Sequence, residues 1–265
     1  MGLYDQIFLK WDKFAGGMPN KDKLTQFIVG QRQAGMSPVT VNIAIRGFNA
    51  FLNWAHTNGH LPALKMERLK FEKKVMRVFD DKQLQKLLAF KPKDRYERRV
   101  MAIVETLADT GLRIQECLSI ELAKVNFDNL LITVTGKGQK QRVVPMSLEL
   151  RKTLFQFIQK HRHTKFTSPY LFCTASGRML SYRNTYRDVE WIFEKVGLSK
   201  SDIDGFFHMF RRKFARSYVK NGGNVLYLQQ AMGHSTLEMT KTYVHVEDEE
   251  LKEMHLKTSL LSRLK

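Results

Sequence analysis

The sequence predicts a mainly α protein in two parts. A purely helical bundle is expected over residues 1–64 and an α+β domain, helices with a small antiparallel sheet, over residues 79–265. A basic linker at 65–78 joins them. Three observations predict this. Apolar stripes at helical period run through the first part with no strand-like alternation. A single alternating stretch, LLITVTGKGQKQRVVPM, lies near the middle, and helical segments fill the rest of the second part.

In order along the chain, Lys21–Ala34 places Leu24, Phe27, Ile28 and Gln31 along one face, and Gly35 stops the helix. Ser37-Pro38 then supplies an N-cap and a first-turn proline. The helix that follows carries Val41, Ile45, Phe48, Leu52 and Ala55 in a stripe that Asn58-Gly59 ends. The segment KMERLKFEKKVMR (65–77) has six basic residues and almost no turn chemistry, which suits a connector lying across a phosphate backbone. A new helix starts at Asp80-Asp81, where Gln83 completes a capping box. A helix around Glu97–Asp109, bearing Val100, Ile103, Val104 and Leu107, stops at Gly111, and a short helix follows Arg113. Leu130, Ile132 and Val134 alternate as one strand, a Gly-Lys-Gly turn follows, and a second strand ends at Pro145. No internal repeat or low-complexity segment is present.

Composition narrows the function. The 265 residues, 43% apolar and 11% aromatic, are enough for one large domain or two smaller ones with real cores. No run of 18 apolar residues occurs, and the charged N-terminus MGLYDQIFLKWDKF lacks the apolar stretch of a signal peptide. Cys117 and Cys173 have neither zinc-site nor disulfide-framework spacing, so a reducing cytoplasm is the expected compartment. Forty-four Lys and Arg against 26 Asp and Glu give a net charge of +18. Solubility alone asks for a net charge of about 2–8 in a small domain. The excess is shared: residues 1–75 carry 11 basic and 5 acidic side chains, leaving 33 and 21 for the remainder. Two basic parts imply one polyanion touching both, and nucleic acid is the expected partner.

Four segments carry side chains suited to phosphate chemistry. In DTGLRIQE, the chain turns at Gly111 straight into Arg113. In TGKGQKQR, glycines on both sides of Lys137 leave a hairpin tip unobstructed; the Walker phosphate loop is absent. In FFHMFRRKFAR, His208 and Arg211 are three apart, so on a helix they share a face beside the apolar Phe206, Phe207 and Phe210. In QQAMGHSTLEMTKTYVHV, a Gly233-His234 pair precedes Tyr243 by nine residues from the histidine. Each has an ordinary alternative: a surface charge, a plain basic turn, a surface pair, a half-buried aromatic.

Taken together, Arg113, Lys137, His208, Arg211, His234 and Tyr243, in that order, resemble the tyrosine recombinase (phage integrase) family. TGLRIQECLSIEL is similar to its first arginine box and ITVTGKGQKQRVVPM to its lysine hairpin. HMFRRKFARSYVKNGGNVLYLQQAMGHSTLEMTKTYVHV is similar to its second box. The similarity runs from about Phe79 to His245, and more loosely the first 64 residues look like the family's helical core-binding domain. The chain departs from the family after Arg211, where His-Thr-Phe is usual and Arg212-Lys213-Phe214 stands here; altered DNA contacts are the expectation. Because the sequence begins directly with the bundle, no separate arm-binding domain is expected.

The resemblance implies a site-specific recombinase acting through a 3′-phosphotyrosyl link made by Tyr243, for DNA integration, excision or transposition, with no cofactor and no metal. No carboxylate constellation of the kind metal-dependent nucleases use lies beside the basic boxes. Arg113 and Arg211 would neutralise the phosphorane oxygens, and Lys137 would protonate the leaving 5′-oxygen. His208 would position or deprotonate the tyrosine and His234 would hydrogen-bond the phosphate, both titrating near neutrality. His245 is a supporting residue of unassigned role. The implied partner is double-stranded DNA with paired inverted half-sites, bound by a dimer and synapsed by a homotetramer, with no membrane. Leu251, Met254 and Leu261 mark a tail helix that would dock on a neighbouring protomer. A type IB topoisomerase-like relaxing enzyme and a non-catalytic DNA-binding relative are the alternatives.

Overall fold

Asn20 and Ser37 open the second and third helices of the chain by accepting hydrogen bonds from the Lys23 and Thr40 amides. With a first helix, α1 (Leu3–Ala15), they give a three-helix unit: α2 is Lys21–Gln33 and α3 is Pro38–Thr57. The computed structural model describes residues 3–72, 78–162, 165–198 and 205–241, with 252, 255, 256, 259 and 261, and resolves into two units, Met1–Val75 and Met76–Lys265.

In the first unit the expected stripe is the core. Val41, Ile45, Phe48, Leu52 and Ala55 are all buried, against Leu24 and Phe27 of α2. Trp11 of α1 stands edge-on to Phe27 and Phe48, with ring centroids 5.6 and 5.4 Å apart. The basic segment is held on this unit over its first residues. Asn49 donates to the Met66 carbonyl (2.9 Å) and accepts from the Met66 amide (2.8 Å), and Asn42 does the same at Leu69 (2.9 and 2.8 Å). Two asparagines seven residues apart on α3 thus pair with an extended chain as a neighbouring strand would, and Met66 is buried in the bundle core. Residues 73–77 of the expected linker lie outside the described residues.

The second unit begins with the expected capping box, Asp80 with Gln83, on α4 (Asp81–Leu88). Asp94 caps α5 (Arg95–Thr110), which starts two residues earlier than predicted; α6 is Ile114–Leu118. The hairpin is present and gains a third strand. β1 (Val125–Asn126), β2 (Leu131–Thr135) and β3 (Gln141–Pro145) form an antiparallel meander with Ile132 opposite Val144 and Val134 opposite Arg142. Leu130, read as strand, instead turns the chain with φ 56°. Four longer helices and a short one follow: α7 (Leu148–Gln156), α8 (Tyr182–Lys195), α9 (Phe207–Lys220), α10 (Val225–Met232) and α11 (Leu237–Lys241).

Helix α5 is the centre of this unit. Val100, Ile103, Val104 and Leu107 are buried with Val189, Ile192 and Phe193 of α8 and Met209 and Phe210 of α9. The sheet contributes Ile132, Val134 and Val144 to the same core. Small sheet and surrounding helices together make a mainly α, α+β architecture. Leu251 and Met254 of the predicted tail helix lie outside the described residues, and Leu261 is exposed. No described helix is long and apolar enough to cross a membrane.

Candidate active site

The stop of α5 fixes the first arginine. Gly111 takes a left-handed φ of 61°, and a Cβ there would lie 2.3 Å from the Phe214 ring of α9. Only glycine allows both the turn and that approach. Two residues on, Arg113 opens α6, and the Glu116 side chain returns to accept from the Arg113 amide (2.9 Å) and from Arg113 Nη1 (3.1 Å).

Glu116 is 5% exposed and binds a second cation. Arg142 of β3 grips both its oxygens, Nη1 to Oε1 at 3.0 Å and Nη2 to Oε2 at 2.9 Å. Burial alone would raise the Glu116 pKa. The Arg142 hydrogen bonds, the Arg113 amide and the two arginine charges outweigh it and hold the carboxyl below its ordinary value. Neither Glu116 nor Arg142 was singled out by the sequence; the available signals were Glu116 at the third position of the helix that Arg113 opens and Arg142 in QKQR.

Arg211 is buried, 2% exposed, on the second turn of α9. Its Nη1 donates to the Gly111 carbonyl (2.8 Å), and its Nη2 to the Met232 carbonyl (2.7 Å) and toward His234 Nε2 (2.8 Å). A guanidinium has only donors, so His234 Nε2 is the acceptor and the ring proton is on Nδ1. Nδ1 then donates to Thr240 Oγ1 at 2.8 Å. Burial, with the charges of Arg211, Arg113 and Arg142, pushes the His234 pKa down to about 4. This corrects the expected near-neutral titration of His234. Its ring nitrogens engage Arg211 and Thr240.

His208, one turn before Arg211, is exposed at the cleft. Burial of part of its ring, then Arg211, Arg212 and Arg113, hold its pKa below the ordinary histidine value, which favours the neutral ring. Arg113, His208, Arg211 and His234 line one cleft of ≈1370 Å³ with Arg142, Gly136, Gly138 and Lys140. Lys137 stands in the turn at the hairpin tip, closed by the Gly136 amide bonding the Lys140 carbonyl at 2.8 Å. Tyr243 and His245 lie outside the described residues; α11 ends two residues before the tyrosine.

Arg212-Lys213-Phe214, where the chain departs from the family pattern, continue helix α9. Arg212 is 7% exposed. Lys213 has a side chain only 16% exposed and pairs with Asp81 at the start of α4, which lowers the Asp81 pKa. At Lys213 this departure thus ties α9 to the start of α4.

Among the described residues lining the cleft, Glu116 is the one acid, and two arginines already match it. A basic, neutral-imidazole pocket of this kind, on an α+β domain carrying a small meander, defines an enzyme that handles phosphate groups. The sequence profile of the phage integrase family matches residues 64–250. The chain is 25% identical over 252 residues to tyrosine recombinase XerD of Oceanobacillus iheyensis, covering 92% of this chain and 82% of that protein. It is 32% identical over 164 residues to tyrosine recombinase XerC of Anoxybacillus flavithermus, 60% of this chain and 54% of that protein. In fold it resembles the Tn1549 transposon integrase in complex with transposon right end DNA (TM-score 0.77, 18% identity, 96% of this chain and 92% of that one). It also resembles the XerH recombinase bound to palindromic difH substrate (TM-score 0.75, 19%, 96% and 78%). The chain belongs to the phage integrase family. It is a tyrosine-type site-specific DNA recombinase.

Proposed function

We propose that this recombinase cuts and rejoins DNA at paired inverted half-sites through six residues: Tyr243 as nucleophile, with Arg113, Lys137, His208, Arg211 and His234. The convergence of Arg113, the His208–Arg211 pair and His234 on one cleft, from three distant segments, carries the reading. Tyr243 Oη bonds to phosphorus, and its proton passes to the neutral His208. The bond to the 5′-oxygen breaks with its electron pair on oxygen, which takes a proton from the Lys137 ammonium. Arg113 and Arg211 stabilise the charge that grows on the non-bridging oxygens, each worth on the order of 10²–10³ in rate. His234 acts through Arg211. The phosphodiester energy stays in the 3′-phosphotyrosyl link, so rejoining needs no nucleotide cofactor.

Residues 1–64 would grip DNA as the core-binding domain, residues 65–78 would cross the backbone, and residues 79–265 would hold the chemistry. A dimer on each site and a tetramer at synapsis fit the resemblance to XerH on a palindromic substrate and to a lambda integrase dimer bound to its core site. The test uses DNA recovered by the full chain from a randomised duplex pool, nicked so that the cut strand cannot be rejoined. A covalent adduct that disappears with Tyr243→Phe is expected. DNA that is bound but never joined to the protein would overturn the assignment.

A further inference from the structure

Arg142 touches none of the reacting atoms in this scheme, yet it joins three walls of the cleft. It leaves β3 opposite Val134, at the base of the loop that carries Lys137. Through both Nη atoms it holds Glu116, which in turn holds the backbone and side chain of Arg113. Its Nε donates to the Ala231 carbonyl at 2.8 Å, in the last turn of α10 before Gly233-His234. The backbone around it is shaped to admit the guanidinium. A Cβ on Gly233 would lie 3.0 Å from its Cζ, Nε and Nη1. A Cβ on Gly136 would lie 3.4 Å from Nη1 and 3.5 Å from Glu116 Oε1. The side chain is 12% exposed. No lysine reproduces a planar fork that makes two parallel bonds from its Nη end and a third from its Nε edge.

We infer that Arg142 is a positioning residue for strand cleavage: it fixes the base of the hairpin loop, and so the reach of Lys137, against the phosphate held by Arg113 and Arg211. This rests on the proposed role of Lys137 as proton donor to the leaving oxygen. A loop tied at its stem by a buried bidentate pair samples few positions, whereas one hinged only on two five-residue strands sweeps the cleft mouth. A misplacement of about 1 Å in a reacting group costs on the order of 10²-fold in rate.

The test compares Arg142→Lys and Arg142→Met with the unaltered chain on two nicked duplexes, one with the normal bridging 5′-oxygen and one with sulfur in its place. A thiolate leaves without needing a proton, so it bypasses Lys137. On the oxygen substrate both variants are expected to cleave about 10²-fold more slowly with half-site affinity kept. On the sulfur substrate the defect should shrink to within about tenfold. Arg142→Met leaves a carboxylate with one fewer cation; if it does not fold, Arg142→Lys makes the same comparison. Full-rate cleavage of the oxygen substrate by a folded variant overturns the inference, as does an equal loss on both substrates. Lys137→Ala separates the two claims. A Lys137→Ala defect that sulfur does not repair overturns the acid role and the route through the hairpin with it. A repaired Lys137→Ala beside an unrepaired Arg142→Lys overturns the positioning role alone.

Discussion

Replacing Gly111 by alanine tests how the end of α5 builds the catalytic cleft. Two costs arise. An alanine forced to φ 61° carries left-handed strain of about 1–2 kcal/mol. Its Cβ would also stand 2.3 and 2.8 Å from two Phe214 ring carbons, so the ring or helix α9 must shift, an overpacking cost of about 1–3 kcal/mol. The sum is about 2–5 kcal/mol. In a unit of this size each kcal/mol moves the midpoint by about 2–4 °C, which gives a fall of roughly 4–20 °C by calorimetry on the full chain. Gly222, just past the end of α9, is the control: its φ is 81°, but nothing lies within 4 Å of a Cβ there, so Gly222→Ala carries strain alone. Cleavage should fall as well in Gly111→Ala, because the Gly111 carbonyl is an acceptor that holds Arg211 and moves with the turn. Equal midpoint shifts for the two variants, or an unchanged cleavage rate in Gly111→Ala, would refute the reasoning.

Glu116→Gln strips the counter-charge from a largely buried Arg142, and a loss of about 3 kcal/mol in stability is expected, with slower cleavage as Arg113 loses its anchor; urea unfolding and adduct formation report the two separately. His234 has a native pKa of about 4 against 6.5 unfolded, so the unfolded chain takes up the proton first as pH falls. Its contribution, at most about 3 kcal/mol, is complete above pH 6.5 and lost as pH falls through 4; that part of the slope in midpoint against pH should vanish in His234→Gln. Asn42→Ala and Asn49→Ala each remove a pair of hydrogen bonds to the connector, worth about 1–3 kcal/mol. The Leu69 and Met66 amides, respectively, should then exchange hydrogen about tenfold or more faster in native-state exchange.

The helices, their caps and the hairpin were legible because each is a local pattern: Ser37-Pro38, Asp80 with Gln83, and the Ile132–Val134 alternation all fall where they were expected. β1 was not, since two residues are too few to show a period of two. The site divides the same way. Arg113, His208, Arg211 and His234 could be picked out by residue type and neighbours, and they share a cleft. Arg142 and Glu116 could not, because 26 residues separate them and nothing local marks a charge as buried. Nothing in the sequence singled out Asn42 and Asn49; only the path of the following chain turns them into a clasp.

Arg142 and Arg211 are held in one cleft by different kinds of partner. Arg142 is matched by a carboxylate, so its guanidinium acts as a fixed structural member with little field beyond Glu116. The acceptors that hold Arg211 include the Gly111 carbonyl at the end of α5, the Met232 carbonyl at the end of α10, and a neutral imidazole. Helix C-termini have carbonyls without intrahelical partners and the negative end of the macrodipole, equivalent to about half a charge each. Two of them stabilise a buried cation by partial charges, and the depressed pKa keeps His234 from adding a competing positive charge beside it. The helix stop at Gly111 therefore does two jobs at once, turning the chain toward Arg113 and aiming a carbonyl at Arg211. This is the physical reason Arg211, from a distant segment, meets Gly111 and Arg113 at one turn.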